Sequence, residues 1–305
     1  MVNNRMVVNV VTPFYDGNKY LDDYAHSMSK AIENATQMNK NISFIITIVN
    51  DSPHIEIDQT ALQGLEKNTC QLSIITNEKN SGIHQSRVNG IQSCESDYTV
   101  MLDQDDLIGE RFFTNITKMK DTSDVLLMNG FYETAIAKEP IYNNDLTMKL
   151  SSTETILLYT RNLIVSPGQT IIRTKVIPSK WFKHICTING ADDYMLWLLL
   201  FSNGSRFQYL NDMQYTHRYT SMNLSINEEK MNESSDEIVE LLQASGYPIS
   251  KINLINKRRQ WKRGFKQANP FSKMAKVLAH PKIFLYNFIY MIFWKGYKFK
   301  ENDFN

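Results

Sequence analysis

Tyr98-Thr99-Val100-Met101-Leu102-Asp103-Gln104-Asp105-Asp106-Leu107 is an apolar run that breaks off in three carboxylates within four positions. Like charges this close raise one another's pKa and disfavour the ionised state unless something positive sits among them. A strand that delivers them together at its carboxyl end therefore points to a hard divalent cation, Mn²⁺ or Mg²⁺, which takes carboxylate oxygens and leaves positions open for phosphate. Acidic residues also cap helices. Asp105 or Asp106 could serve in that way for a helix expected over Gly109 to Met119.

Outward from this stretch, short apolar runs alternate with segments of helical period from residue 6 to about residue 130, the pattern of an α/β protein with a mostly parallel sheet. Strands are expected at Met6 to Val11, Phe44 to Val49, Leu72 to Thr76, Tyr98 to Leu102 and Val125 to Met128. Between them, Leu21, Tyr24, Met28, Ala31, Ile32 and Ala35 recur at helical spacing, and a second helix is expected over His84 to Ser93. Ligands of such sheets bind beyond the carboxyl ends of the strands. The polar residues there are Thr12-Pro13-Phe14-Tyr15, Asn50-Asp51-Ser52, Asn77 to Gly82 and the Asp103 cluster. Farther on, helices are expected at Ser152 to Tyr159 and Asp192 to Phe201 and a strand at Gln169 to Arg173. Polar Asn223 to Asp236 then leads into a helix near Ile238 to Leu242, closed by Gly246 and Pro248.

Composition agrees with a packed globular protein. Of 305 residues, 42% are apolar, and a formal net charge of +1 gives no global attraction to nucleic acid. Cys70, Cys94 and Cys186 form neither a disulfide framework nor a metal knuckle, which fits a reducing cytosol. The apolar run at Met6 to Val11 is too short for a signal peptide, and no segment is long enough to span a bilayer. From Lys257 to Lys300 there are about a dozen Lys and Arg and no acid, interleaved with aromatic residues through Trp294 and Tyr297. This composition suits helices lying on an anionic membrane surface. Packing of its apolar run on the main body, or stacking on single-stranded nucleic acid, would use the same residues. The density of apolar side chains favours the membrane.

Taken in order, these segments resemble the family 2 glycosyltransferases with a GT-A fold. Val10 to Tyr15 resembles the opening strand and nucleotide loop, and Ile48-Val49-Asn50-Asp51-Ser52 the "VDDGS" segment with Asn in its first acidic place. Asn77 to Gly82 with Arg87 to Ile91 resembles the "N-x-G…aRN-x-G" stretch. Met101 to Asp106 is similar to the "LDxDD" form of the DxD motif, and Gly190 to Trp197 to "GEDyeLW", with Asp192 in place of Glu. The matches span about residues 6 to 220.

The resemblance implies transfer of a sugar from a nucleotide diphosphate, a UDP-sugar first, to an acceptor hydroxyl with inversion. A cation held by Asp105 or Asp106 would neutralise the leaving diphosphate. Asp103, with Gln104 beside it, would reach the ribose or a metal-bound water, and which of the three acids touches the ion stays open. Asp51 would accept from the base, Thr12, Pro13 and Phe14 would wall the pocket, and Arg87 and Lys79 would contact the diphosphate. Asp193 would be the general base and Asp192 an acceptor-side residue. His217 is placed as a metal ligand or diphosphate contact, and Gly168, in Ser166-Pro167-Gly168-Gln169, lies on the acceptor side. The expected organisation is a GT-A domain over 1–245, divided near 130 into a nucleotide-sugar half and an acceptor half, followed by a basic aromatic helical tail over 246–305. Such an enzyme would work at the cytoplasmic face of the cell membrane on a lipid-linked or envelope glycan, as in bacterial polysaccharide assembly, with an oligomer possible. The alternatives are a nucleotidyltransferase and a non-catalytic scaffold. The first would want a Gly-rich, basic loop after the first strand, which Thr12 to Asp16 does not supply, and the retained acids speak against the second.

Overall fold

The structure, a computed structural model, describes residues 5–220 and 227–293. Its strands are β1 (Met6–Phe14), β2 (Ile42–Asn50), β3 (Cys70–Thr76), β4 (Tyr98–Met101), β5 (Leu107–Ile108), β6 (Val125–Glu133), β7 (Lys138–Pro140), β8 (Thr170–Arg173) and β9 (Phe207–Arg218). They form one sheet in the order β3-β2-β1-β4-β8-β6-β9-β5, with β7 paired to β6. The helices are α1 (Leu21–Met38), α2 (Gln59–Leu62), α3 (Ile83–Gln92), α4 (Asp145–Ser151), α5 (Glu154–Tyr159), α6 (Ser179–Lys183), α7 (Asp192–Ser202), α8 (Glu228–Ala244), α9 (Ile249–Lys266), α10 (Pro270–Ala279) and α11 (Pro281–Phe293).

The first four strands run parallel, with β1 between β2 and β4. Helices cover both faces of such a sheet, so its strands read as nearly continuous apolar runs rather than alternating ones. Val8, Val10 and Val11 of β1, Ile46, Ile48 and Val49 of β2, and Val100 and Met101 of β4 are all inaccessible to solvent. The expected stripe on α1 is buried in full, and α7 is buried almost all round, as its unbroken apolar sequence requires. Register then brings distant segments together. Phe14 pairs with Asn50, Asn50 with Thr76, and Val11 with Met101. The residues that follow these strands therefore open onto one edge, at the point where the chain leaves β1 in opposite directions for β2 and β4.

The second half of the sheet is mixed. β8 runs antiparallel to both β4 and β6, whereas β6 and β9 are parallel across an irregularity at Met128 to Gly130. There Asn129 bonds its neighbours through both side-chain atoms, and a Cβ on Gly130 would lie 2.2 Å from the Tyr215 carbonyl oxygen. Glycine thus permits the close approach that seats Tyr215. Leu107 of β5 pairs with Thr216, which sets Asp106 against the end of β9.

Two sequence expectations need correction. The segment Gly109 to Met119 is not an α-helix but a 3₁₀ stretch, Phe113–Lys118, in which Thr114 and Thr117 return their hydroxyls to carbonyls three residues back. Neither Asp105 nor Asp106 caps it. The helix expected near Ile238 to Leu242 begins at Glu228, because Asn227 caps it by accepting from the Lys230 N–H. The remainder of the polar stretch from Asn223 lies outside the described residues. Between residues 249 and 293 the chain forms three consecutive helices and folds back: α9 packs on α5 and α8, and α11 on α5.

Candidate active site

At the carboxyl edge of the sheet lies an open cavity of about 1830 Å³. Pro13, Phe14, Asp51, Asp103, Gln104 and Asp105 line one part of it, and Asp192, Asp193 and His217 line it too. The sequence-predicted residues are therefore mostly together, but they do different things.

Arg87 is 3% exposed and points inward from α3. Its Nη1 donates to Asp192 Oδ2 and its Nη2 to Asp103 Oδ1, each at 2.6 Å. One guanidinium thus ties the acidic cluster after β4 to the acidic pair opening α7. Its geometry is that of a bridge between carboxylates, and Arg87 also lines the cavity. Burial opposes its charge, yet Asp192 and Asp103 outweigh it and hold Arg87 above its ordinary range. Asp103 also accepts from the Ser166 hydroxyl at 3.2 Å. Burial still keeps its pKa raised despite the Arg87 contact.

Asp106 is inaccessible to solvent. Its Oδ2 accepts from the Tyr215 hydroxyl and its Oδ1, at 3.1 Å, from the Arg218 N–H, while His217 Nδ1 lies 3.0 Å from the same Oδ1. A carboxylate so occupied is an anchor for β9, and it does not line the cavity. Asp105 does. No side chain among the described residues hydrogen-bonds its carboxylate, and burial, together with Asp106 and Asp103, pushes it up to about 7. Of the two neighbours, Asp105 faces the cavity and Asp106 does not. His217 lines the cavity with its ring oriented by a carboxylate, and the acids outweigh burial to hold its pKa above the usual range.

Asp193 is buried to 9% exposure at the first turn of α7. Its Oδ2 accepts from Asn162 at 2.8 Å and its Oδ1 from the Tyr194 N–H at 2.6 Å. Burial first, and the adjacent Asp192 second, raise it to about 7.

Four expected residues sit differently. Thr12 is wholly buried and bonds the Tyr24 hydroxyl at 2.8 Å, so it backs the wall formed by Pro13 and Phe14. Asp51 faces the cavity but already takes the Ser81 and Gly82 N–H groups and the Asn77 amide, at 2.7, 2.8 and 2.7 Å. It fixes the loop before α3, where Gly82 has φ +85°. Lys79 is exposed on that loop and is not among the cavity residues. Gly168 is buried behind Ser166 and Pro167, where a Cβ would come 3.0 Å from the Tyr215 ring. Gln104 fixes the loop after β1 by accepting from the Tyr15 N–H at 2.9 Å and donating to its carbonyl at 3.0 Å.

A family model described as Glycosyl transferase family 2 matches residues 9–178, more than half of the sequence. The chain belongs to this family. No curated protein matches it. Among solved structures, S. aureus TarS residues 1–349 with UDP-GlcNAc superposes with a TM-score of 0.60 at 20% identity, covering 93% of this chain and 81% of that one. The same fragment with UDP gives 0.59 at 19% identity, covering 92% and 81%. The mannosyltransferase PcManGT from Pyrobaculum calidifontis, with GDP-Man and Mn²⁺, gives 0.56 at 12% identity, covering 95% and 76%. The fold is thus the GT-A fold, and the protein is a glycosyltransferase, which removes the nucleotidyltransferase and scaffold readings.

In this glycosyltransferase, no group of three or more His, Cys, Asp or Glu side chains among the described residues forms a metal cage. The donor set still suits a divalent cation that arrives with a diphosphate, because Mg²⁺-type ions are commonly held by one or two carboxylates plus phosphate oxygens. Asp105 supplies such a carboxylate. Sequence reasoning missed Tyr215, Asn162 and the cavity residues Arg161, Arg258 and Lys262. Tyr215 was within reach, since it shares the two-residue strand period with His217. Asn162 and Arg161 follow a short helix and carry no local signal.

Arg87 leads to a test of the bridge. Arg87→Met would leave buried Asp192 and half-buried Asp103 without their counter-charge, a loss expected to cost about 3 kcal/mol. Urea denaturation should show a correspondingly lower midpoint, and an unchanged midpoint would contradict the bridging role.

Proposed function

We propose that this family 2 glycosyltransferase is an inverting, metal-dependent enzyme that moves a sugar from a nucleotide diphosphate, UDP favoured, to an acceptor hydroxyl. One observation carries the reading: Asp105 and Asp193, both pushed up to about 7, line a single cavity in different surroundings, Asp193 bonded by Asn162 and the Tyr194 N–H and Asp105 by no side chain among the described residues. Two carboxylates with separate environments suit separate tasks. Asp105 would hold Mn²⁺ or Mg²⁺, with His217 beside it, and Asp103 would face the donor. A cation bound there supplies charge neutralisation to the leaving diphosphate. Binding of UDP-GlcNAc by the TarS fragment and of GDP-Man with Mn²⁺ by PcManGT lends support at the level of the fold.

Asp193 performs the proton step. The acceptor oxygen attacks the anomeric carbon, its proton passes to Asp193, the bond from that carbon to the diphosphate oxygen breaks, and the nucleoside diphosphate leaves with the electron pair. Asn162 and the Tyr194 N–H orient the carboxylate. A base with a pKa near the working pH combines enough ionised form with enough driving force. Asp192, joined to Arg87, holds α7 against the donor side.

The acceptor side closes on the C-terminal helices. We place the enzyme at an anionic membrane surface on a lipid-linked or envelope glycan. No helix among the described residues is long and apolar enough to cross a membrane. α10 and α11 nevertheless expose Phe271 (91%), Met274, Leu278, Leu285, Phe288 and Met291 at helical spacing, with Lys273, Lys276 and Lys282 on the same helices. An apolar face with cationic neighbours suits interfacial binding. Trp294 and Tyr297, counted in the sequence reading of this segment, lie outside the described residues.

Four outcomes test this. Asp105→Asn should abolish Mn²⁺-dependent UDP binding in calorimetry while Asp106→Asn lowers stability first; equal binding by Asp105→Asn and wild type would remove the metal assignment. Asp193→Asn should keep donor affinity and lose about 10²–10⁴-fold in kcat. Wild-type turnover should fall as pH drops through about 7, because the base acts ionised, and Asp192→Asn should move that limb to lower pH by removing a like charge. Phe271→Glu with Leu278→Glu should release the protein from anionic liposomes in flotation, and full retention would defeat the membrane placement.

A further inference from the structure

The acceptor side of the cavity carries a second charge cluster, and it is basic. Arg258 and Lys262 stand one turn apart on α9, and Arg161 follows α5; all three line the cavity. Arg258 is 6% exposed and donates from Nη1 to the Leu157 carbonyl at 2.6 Å and to the Tyr194 hydroxyl at 3.4 Å. Its buried Nε has no hydrogen-bond partner. Lys262 Nζ donates to the Thr160 carbonyl at 2.7 Å. Burial, and then Arg258, Arg161 and Lys266, push its amine down to about 7.

The acids nearby are used elsewhere. Glu154 of α5 pairs with Lys251, and Asp236 of α8 with Arg259 and Arg263. None of Arg161, Arg258 and Lys262 makes an ion pair among the described residues. Two of them cap the end of α5, where cations are favourable, but that role needs neither Arg161 nor a guanidinium with an unused buried N–H. Burying like charges together is costly unless a counter-charge arrives. The cluster adjoins Tyr194, next to the proposed base, whereas the donor wall is formed by Pro13, Phe14 and Asp51.

We propose that Arg161, Arg258 and Lys262 form a phosphate-binding subsite on the acceptor side, so that the acceptor presents a phosphate within reach of the hydroxyl to be glycosylated. This rests on the assignment of the Asp193 side of the cavity to the acceptor. The phosphate could belong to a soluble phosphodiester chain or to a lipid phosphate, and the recognising chemistry is the same: charge-assisted, partly bidentate hydrogen bonds from guanidinium and ammonium groups.

Fluorescence anisotropy on the full chain separates the cases with two probes, a labelled glycerol phosphate oligomer and detergent micelles carrying farnesyl phosphate, against dextran and farnesol micelles as neutral counterparts. At least one phosphate probe should bind more tightly than its neutral counterpart, and the arm that responds names the source. Arg161→Gln, at an exposed position, should weaken that binding about tenfold, and Arg161→Gln with Lys262→Gln by about a hundredfold. UDP affinity, measured in parallel, should stay at the wild-type value. Absence of any preference for phosphate, or variants that bind the probe as wild type does, would overturn the proposal. So would loss of UDP affinity in the variants, which would assign the cations to the donor. A wild-type protein that binds the phosphate probe but no UDP with Mn²⁺ would instead sink the donor reading alone.

Discussion

A single buried guanidinium holds the two halves of this glycosyltransferase in register. Arg87 comes from α3, between β3 and β4, and binds Asp103 at the end of β4 and Asp192 at the start of α7. Desolvating three charges is costly, and mutual attraction repays that cost only when geometry is close and the partners stay together. The bridge therefore couples the carboxyl edge of the sheet to the helix that carries Asp193. Any displacement of α7 would strip a buried carboxylate of its cation, so Asp193 and the acidic cluster are held at a set separation.

The acidic cluster divides its labour by burial. Asp106 is consumed by β9, through Tyr215, His217 and the Arg218 N–H. Asp103 is consumed by Arg87 and Ser166. Among the described residues, Asp105 alone of the three retains a carboxylate without side-chain hydrogen bonds. Two fixed anions beside one accessible anion raise its proton affinity, and the same field that favours a proton favours a cation. The site is thus poised for charge that enters with a substrate.

The C-terminal helices complete the cavity from the other side. α9 supplies Arg258 and Lys262, and Trp261 and Phe265 stack at 4.7 Å along the same helix. α11 turns one face to α5, with Tyr286 on Tyr159 at 4.9 Å, and leaves its other apolar face outward. The two faces of this segment separate the sequence's competing readings into one inward face that packs and one outward face that stays available.

Much was legible in the sequence because it is written in local periods. The buried strands, the stripe on α1 and the all-round apolar α7 follow from side chains that must leave water, and the ordered segments around Asp51, Arg87, Asp103 and Asp193 identified the family. Sequence could not assign tasks among adjacent acids. Asp105 and Asp106 are chemically identical neighbours, and only the pairing of Leu107 with Thr216 turns one into β9 and the other toward the cavity. Nor could it show that Arg87 binds two carboxylates, that Thr12 bonds Tyr24, or that Arg161 meets Arg258 and Lys262 across a hundred residues. Periodicity reports which face of an element is buried; what lies opposite that face depends on long-range register, and that is decided only when the sheet and helices have packed.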